Sequence, residues 1–190
     1  MTKNAGSGVD VYRLTVCGLM IALTFVANYI RFPLLGSAVT VSNTLCVLAG
    51  FIVGPWAGFV TAGLGNFLYD LIAGYGLEGL ITLVSKGAIA VVAGLISYRE
   101  LSKPRLEKKD RMMLFVAAAA GALTYVALYM LKTFIFGLAV NGLTLDATFV
   151  KMGTKLPASL INAVFATVAA PILMNALHLP LHKLGILGKG

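Results

Sequence analysis

Long apolar runs separated by short polar segments dominate the chain. The most continuous run, 43–74, contains a single charged residue, Asp70, and exceeds the roughly 20 residues that one membrane crossing needs. Gly54 and Pro55 divide this run, and proline suits the first turn of a helix because its missing N–H needs no partner there. The pattern therefore predicts two helices that pack back to back and meet at this dipeptide.

The same alternation along the whole chain predicts an all-α integral membrane protein with one transmembrane domain over 1–190. Proline and glycine-rich segments end the apolar runs, as expected of helix boundaries. The six predicted transmembrane helices cover 11–30, 43–54, 55–73, 80–97, 112–136 and 157–177. The predicted connections include a loop over 34–42, a strongly basic segment over 98–111 and a loop over 137–156.

Small residues recur at every fourth position through the second and third predicted helices. They are Gly50, Gly54, Gly58, Ala62 and Asn66. Small residues at this spacing allow helix backbones to approach closely in lipid, where packing rather than the hydrophobic effect drives association. We expect close helix packing along this ladder.

Composition and charge narrow the class of protein. The chain is 59% hydrophobic and 12% charged, with a mean hydropathy of +0.92, which excludes an ordinary soluble domain. The net charge of +8 does not indicate a nucleic-acid partner, because the basic residues cluster between apolar runs. Ten of the 15 Lys and Arg, including Lys3 and Lys189, fall near the chain ends or within 98–111. The positive-inside rule therefore predicts a cytoplasmic location for both ends and this loop.

Ionisable residues inside apolar runs are costly and usually functional, so they mark a candidate binding site. Lys86 lies well inside its predicted helix, whereas Asp70 and Lys132 also suit snorkelling towards the interface. Two lysines favour an anionic ligand, or an ion pair with Asp70 or Asp146. The predicted substrate-binding residues are Asn66, Asp70, Thr82, Lys86, Tyr125, Tyr129, Lys132 and Asn162.

Enzyme signatures are missing from the sequence. It contains no H-E-x-x-H, G-x-S-x-G, C-x-x-C or Walker G-x-x-x-x-G-K-[ST] motif, so it has no recognisable route to hydrolyse ATP. His178 and His182 are separated by a proline and lack a nearby carboxylate, which argues against a metal site. We therefore expect no catalytic residues, no metal ligands and no cofactor.

The chain resembles the S components of energy-coupling-factor (ECF) vitamin transporters. The resemblance rests on size, six apolar segments, RLTVCGLMIAL in the first helix and AGFIVGPWAGFVTAGLGNFLYDLIAG across the next two. It implies a prokaryotic cell-membrane protein that captures a micronutrient from outside, between the outer halves of its last three helices and the loop after the first. The implied partners are a transmembrane coupling subunit and two cytoplasmic ATPases. The family's A-x-x-x-A docking pair matches Gly18 and Ala22, with glycine in place of the first alanine.

The resulting hypothesis is a vitamin-binding subunit that delivers its ligand by reorienting against the coupling subunit. A stand-alone carrier of a small organic anion, coupled to an ion gradient, is the alternative. The chain lacks a mid-helix acid and an obvious inverted repeat, both of which count against that carrier. The identity of the solute is left open. The residues are compatible with pantothenate, folate, riboflavin, cobalamin-type, pyridoxine and queuosine-type compounds.

Overall fold

Six helices and a short hairpin form the fold in the computed structural model, which describes residues 11–34, 37–76 and 78–187. In chain order the elements are α1 (Val11–Ala27), β1 (Arg31–Leu34), β2 (Ser37–Thr40), α2 (Ser42–Val53), α3 (Pro55–Ile72), α4 (Glu78–Leu101), α5 (Lys108–Ile135), a π-helical segment (Phe136–Val140) and α6 (Leu145–Lys183). The predicted six-helix membrane fold is confirmed. The side of the membrane on which the ends lie stays a prediction, and Lys3 and Lys189 fall outside the described residues.

The outer surface of the bundle suits lipid rather than water. Three helices, α4, α5 with its π-helical continuation, and α6, are long and apolar enough to cross a membrane. Large apolar side chains on this surface are roughly half exposed, among them Leu19, Val60, Leu123 and Val164. So much exposed apolar area is unfavourable in water, whereas a bilayer accommodates it. The chain is therefore an integral membrane protein.

Helix α2 forms the interior of the bundle and is buried along all but one of its 12 residues. A Cβ atom on Gly50 would overlap the carbonyl oxygen of Ala90 on α4. A Cβ atom on Gly58 would lie 3.0 Å from the Cα of Gly50. Gly54 has a φ of 87°, a left-handed conformation that favours glycine and lets α2 turn directly into α3. The predicted close packing of the small-residue ladder is confirmed at Gly50 and Gly58.

An antiparallel hairpin follows α1, where the sequence predicts the end of a helix and a loop. Arg31 pairs with Thr40 at its base, and Pro33 pairs with Ala38. Proline restricts the preceding residue to extended conformations, so the signal that ends the helix also permits a strand. Each strand has only four residues, too few for a visible period of alternation. Residues 35 and 36 of the predicted loop lie outside the described residues.

The predicted basic segment over 98–111 is largely helical, because α4 continues into it and α5 begins within it. Arg, Lys, Glu and Leu are good helix formers, so charge alone did not indicate a loop here. Glu107 and Asp110 form a capping box at the start of α5. The Nζ of Lys103 lies 2.5 Å from Oδ1 of Asp110, and this hydrogen bond raises the pKa of Lys103.

Helix α6 begins at Leu145, so the predicted loop over 137–156 and the predicted start at Pro157 are wrong. Thr144 caps the helix, and its hydroxyl oxygen accepts a hydrogen bond from the backbone N–H of Ala147 at 3.4 Å. At 39 residues α6 extends about 58 Å, well beyond the hydrocarbon core of a bilayer. Its first turns alternate polar and apolar residues, so they form no long apolar run that would mark a membrane helix.

Candidate functional site

A cavity of about 540 Å³ opens at the end of the bundle that carries the hairpin. Its walls come from the hairpin, α3, α4, α5, the π-helical segment and α6. Its volume is typical of small-molecule sites. All eight residues predicted to bind substrate line it: Asn66, Asp70, Thr82, Lys86, Tyr125, Tyr129, Lys132 and Asn162. The fold therefore brings them together, while their contact with a ligand stays a prediction.

Lys86 and Tyr125 line the floor of the cavity, and Asn43 contacts Lys86 there. Only 7% of Lys86 is exposed, and it lies about 12 Å along α4 from Glu78 at the cavity mouth. Its ammonium group donates a hydrogen bond to Oδ1 of Asn43 and lies 4.6 Å from the centroid of the Tyr125 ring. Both contacts are neutral groups, although a cation is stabilised over an aromatic face.

The mouth of the cavity consists of Glu78, Lys132, Lys151 and Lys155. The Nζ of Lys132 lies 2.8 Å from Oε2 of Glu78. The partner of Lys132 is therefore neither Asp70 nor Asp146, the acids that the sequence suggested. The Nζ of Lys155 lies 5.6 Å from the centroid of the Tyr129 ring. The mouth carries an excess of positive charge that favours the approach of anions.

An aromatic wall joins the floor to the mouth. Tyr125 and Tyr129 are one turn apart on α5, and their rings stack at 16° with centroids 5.6 Å apart. The hydroxyl of Tyr129 lies 3.1 Å from that of Ser37 on the hairpin. A planar or extended solute can lie along this wall.

Asn66 lines the cavity, but its amide is already engaged in holding helices together. Its Oδ1 accepts hydrogen bonds from Ser42 Oγ at 2.6 Å and from Asn28 Nδ2 at 3.0 Å. Its Nδ2 donates to the carbonyl oxygen of Ala62 at 2.8 Å. These contacts link α3 to α2 and to the end of α1, so Asn66 positions the walls of the site.

Asn162 holds the hairpin against α6 in the same manner. Its Oδ1 accepts a hydrogen bond from the backbone N–H of Thr40 at 2.8 Å, and its Nδ2 donates to the carbonyl oxygen of Ala38 at 2.9 Å. The side chain thus satisfies one donor and one acceptor of β2, as a neighbouring strand would. The hairpin is therefore a docked wall of the cavity.

Sequence reasoning missed several residues of the site. Arg31 and Lys155 were used only in the count of basic residues that predicts which loops face the cytoplasm. Asn43 and Glu78 were given no role. Arg31 lines the cavity and donates a hydrogen bond to the hydroxyl of Tyr69. A signal for Arg31 was present, since the family resemblance places the ligand beside the loop after the first helix. The contact between Asn43 and Lys86 joins two helices and has no signature in the sequence.

The outward face of α1 carries Gly18 and Ala22, the predicted docking pair. Both residues are exposed, and a Cβ atom on Gly18 would meet no heavy atom of the described residues within 4 Å. The opposite face of α1 buries Met20, Thr24 and Ala27 against its neighbours. The small-residue face thus points away from the bundle, and its docking role stays a prediction.

Comparisons with known proteins agree on the class. The family profile described as "ECF-type riboflavin transporter, S component" matches residues 8–179. The thiamine precursor transporter HmpT of Lactococcus lactis subsp. cremoris (strain MG1363) is 32% identical over 97 residues, a match that spans 49% of this chain and 58% of that protein. A solved structure titled "Structure and mechanism of the S component of a bacterial ECF transporter" aligns with a TM-score of 0.60 at 20% identity. The alignment covers 89% of this chain and 96% of the other, and shows a shared fold.

Proposed function

This chain belongs to the family of ECF-type riboflavin transporter S components, and from that premise we propose that it captures a vitamin or related micronutrient in the cavity described above. The observation that carries the proposal is the cavity itself. Polar and charged side chains from separate helices converge there, in a protein whose outer surface is apolar. Buried polar groups are costly in a membrane protein, so their convergence on an open volume favours a ligand.

The second part of the proposal concerns delivery. The chain carries no ATPase motif, so a transmembrane coupling subunit and two cytoplasmic ATPases would supply the energy. The exposed face at Gly18 and Ala22 would contact the coupling subunit, since small residues allow close approach of a second helix. The complex would lie in the cell membrane of a prokaryote, with the cavity opening to the outside.

Reconstitution tests the proposal directly. Native mass spectrometry of the purified chain identifies a co-purified small molecule, and a radiolabelled form of that molecule serves as the transport probe. We expect the chain alone to bind the probe in liposomes without accumulating it. Accumulation should require the coupling subunit, both ATPases and ATP. Accumulation by the chain alone under a proton or sodium gradient would instead identify a stand-alone carrier.

Substitution of Ala22 separates capture from delivery. Ala22→Trp places a large side chain on the proposed docking face, so it should abolish co-purification with the coupling subunit and leave probe affinity unchanged. Ala127→Trp is the matched control, because Ala127 is equally exposed but lies on α5. Loss of complex with both variants, or with neither, would contradict a docking face at this position.

A further inference from the structure

The floor of the cavity holds more hydrogen-bond donors than acceptors. Lys86 lines the cavity and is 7% exposed, and its ammonium group contacts the Oδ1 of Asn43 and the face of Tyr125. The Nδ2 of Asn43 is buried and has no hydrogen-bond partner among the described residues. A buried donor without an acceptor costs free energy, and a buried cation without a counter-ion costs more. The described side chains around the ammonium group of Lys86 are therefore short of hydrogen-bond acceptors and of negative charge.

No acidic side chain within the described ranges forms an ion pair with Lys86, although Asp70 in the same cavity acts on it electrostatically from further away. The ion pairs there join Lys103 to Asp110 and Lys132 to Glu78. Asp70 lines the same cavity, but it forms no ion pair with Lys86. Lys132 and Lys86 thus differ, because Lys132 is paired with Glu78 at the mouth and Lys86 forms no ion pair at the floor.

We infer that the solute carries a single carboxylate, which binds against the ammonium group of Lys86 at the floor of the cavity. This inference rests on the proposed function and names the chemical class of its ligand. A carboxylate supplies the missing charge and offers acceptor oxygens to the ammonium group of Lys86. It enters first, past the positive mouth, and the body of the solute lies along the stacked rings of Tyr125 and Tyr129.

Charge balance selects a carboxylate over a phosphate. A phosphate monoester carries a charge of about −1.5 to −2 at neutral pH. Among the described residues, Lys86 is the one cation at the floor. The carboxyl of Asp70, which lines the same cavity, adds negative charge. A dianion would therefore exceed the charge of Lys86 in a largely buried site, and Asp70 would add to that excess, whereas the charge of a monoanion matches that of Lys86 itself.

Matched ligand pairs test the charge of the solute. The probes are pantothenate with panthenol, biotin with biotinamide and nicotinate with nicotinamide, together with uncharged riboflavin and with 4′-phosphopantothenate. Binding to the purified chain is measured by native mass spectrometry and by thermal shift in detergent. We expect at least one carboxylate to bind, and its uncharged counterpart to bind about tenfold more weakly or worse. Phosphopantothenate should bind no better than pantothenate.

Two variants locate that preference at the floor. Lys86→Met removes the cation, so the bound carboxylate should lose about tenfold or more in affinity and its uncharged counterpart should lose little. Asn43→Asp keeps the cation but gives it an internal counter-ion, so it should weaken carboxylate binding in the same direction. Lys109→Met changes an exposed lysine outside the cavity and is the control. If Lys86→Met does not fold, Asn43→Asp decides.

Three results would overturn the inference. They are equal binding of a carboxylate and its uncharged counterpart, a carboxylate preference that survives Lys86→Met or Asn43→Asp, and the absence of any carboxylate binding. Tight binding of riboflavin or another uncharged compound would overturn this inference and leave the proposed function standing. Absence of any bound small molecule, added or co-purified, would overturn both.

Discussion

The outward face of α1 and the interior ladder of α2 and α3 have the same sequence feature in opposite surroundings. Gly18 and Ala22 are four residues apart in α1, and Gly50 in α2 is four residues from Gly54 at the junction with α3. A Cβ atom on Gly50 would overlap the backbone of α4, whereas one on Gly18 would meet nothing within 4 Å among the described residues. The interior ladder has its partner within this chain, and the α1 face at Gly18 has none among the residues that the structure describes.

This contrast shows what small residues can and cannot indicate. Spacing by four residues places them on one face of a helix and permits close approach of another helix. It does not specify whether that other helix belongs to the same chain. Burial of the neighbouring residues distinguishes the two cases, since Gly50 lies on a fully buried helix and Gly18 on one that packs along a single face.

The largest effect is expected for Gly50→Ala. The added methyl group would overlap the carbonyl oxygen of Ala90. Neither group can move aside easily, because the carbonyl is part of the backbone of α4 and the methyl carbon is bonded directly to the backbone of α2. Overpacking of this kind forces helices apart, so we expect a loss of about 3 kcal/mol in the free energy of unfolding. Unfolding in an SDS titration measures the change. A loss below about 1 kcal/mol would show that α2 and α4 do not pack this closely.

An intermediate effect is expected for Asn66→Leu, at the far end of the same ladder. The substitution leaves Ser42 Oγ and Asn28 Nδ2 without their shared acceptor. Interhelical hydrogen bonds in membranes contribute modestly, so the loss should be about 1–2 kcal/mol in the same titration. Asn141→Leu is the control, since Asn141 is exposed at the cavity mouth. Unchanged stability of the ligand-free Asn66→Leu protein would show that these hydrogen bonds do not hold the helices together.

The fold was largely predictable because bilayer insertion imposes long apolar runs on the sequence. Reliance on long apolar runs also explains why the start of α6 was predicted at Pro157, which lies inside that helix. It likewise explains why the hairpin after α1 was predicted as a loop. Neither the first turns of α6 nor the four-residue strands of the hairpin contain a long apolar run. For the site, the cost of a buried charge identified Lys86. Its contact with Asn43 depends on how α2 packs against α4, and no local pattern encodes that packing.

The smallest effect is expected for Gly18→Ala, and it is the sharpest test of the contrast. The methyl group meets no atom of the described chain, so only helix propensity should change, giving a gain of at most about 1 kcal/mol. Gly50→Ala makes the same chemical change with the opposite sign of effect. Gly18→Ala also restores the A-x-x-x-A pattern of the related transporters, so co-purification with the coupling subunit should persist, unlike that of Ala22→Trp. A loss of stability comparable to that of Gly50→Ala would mean that the α1 face packs within this chain, and the proposed docking face would then be wrong.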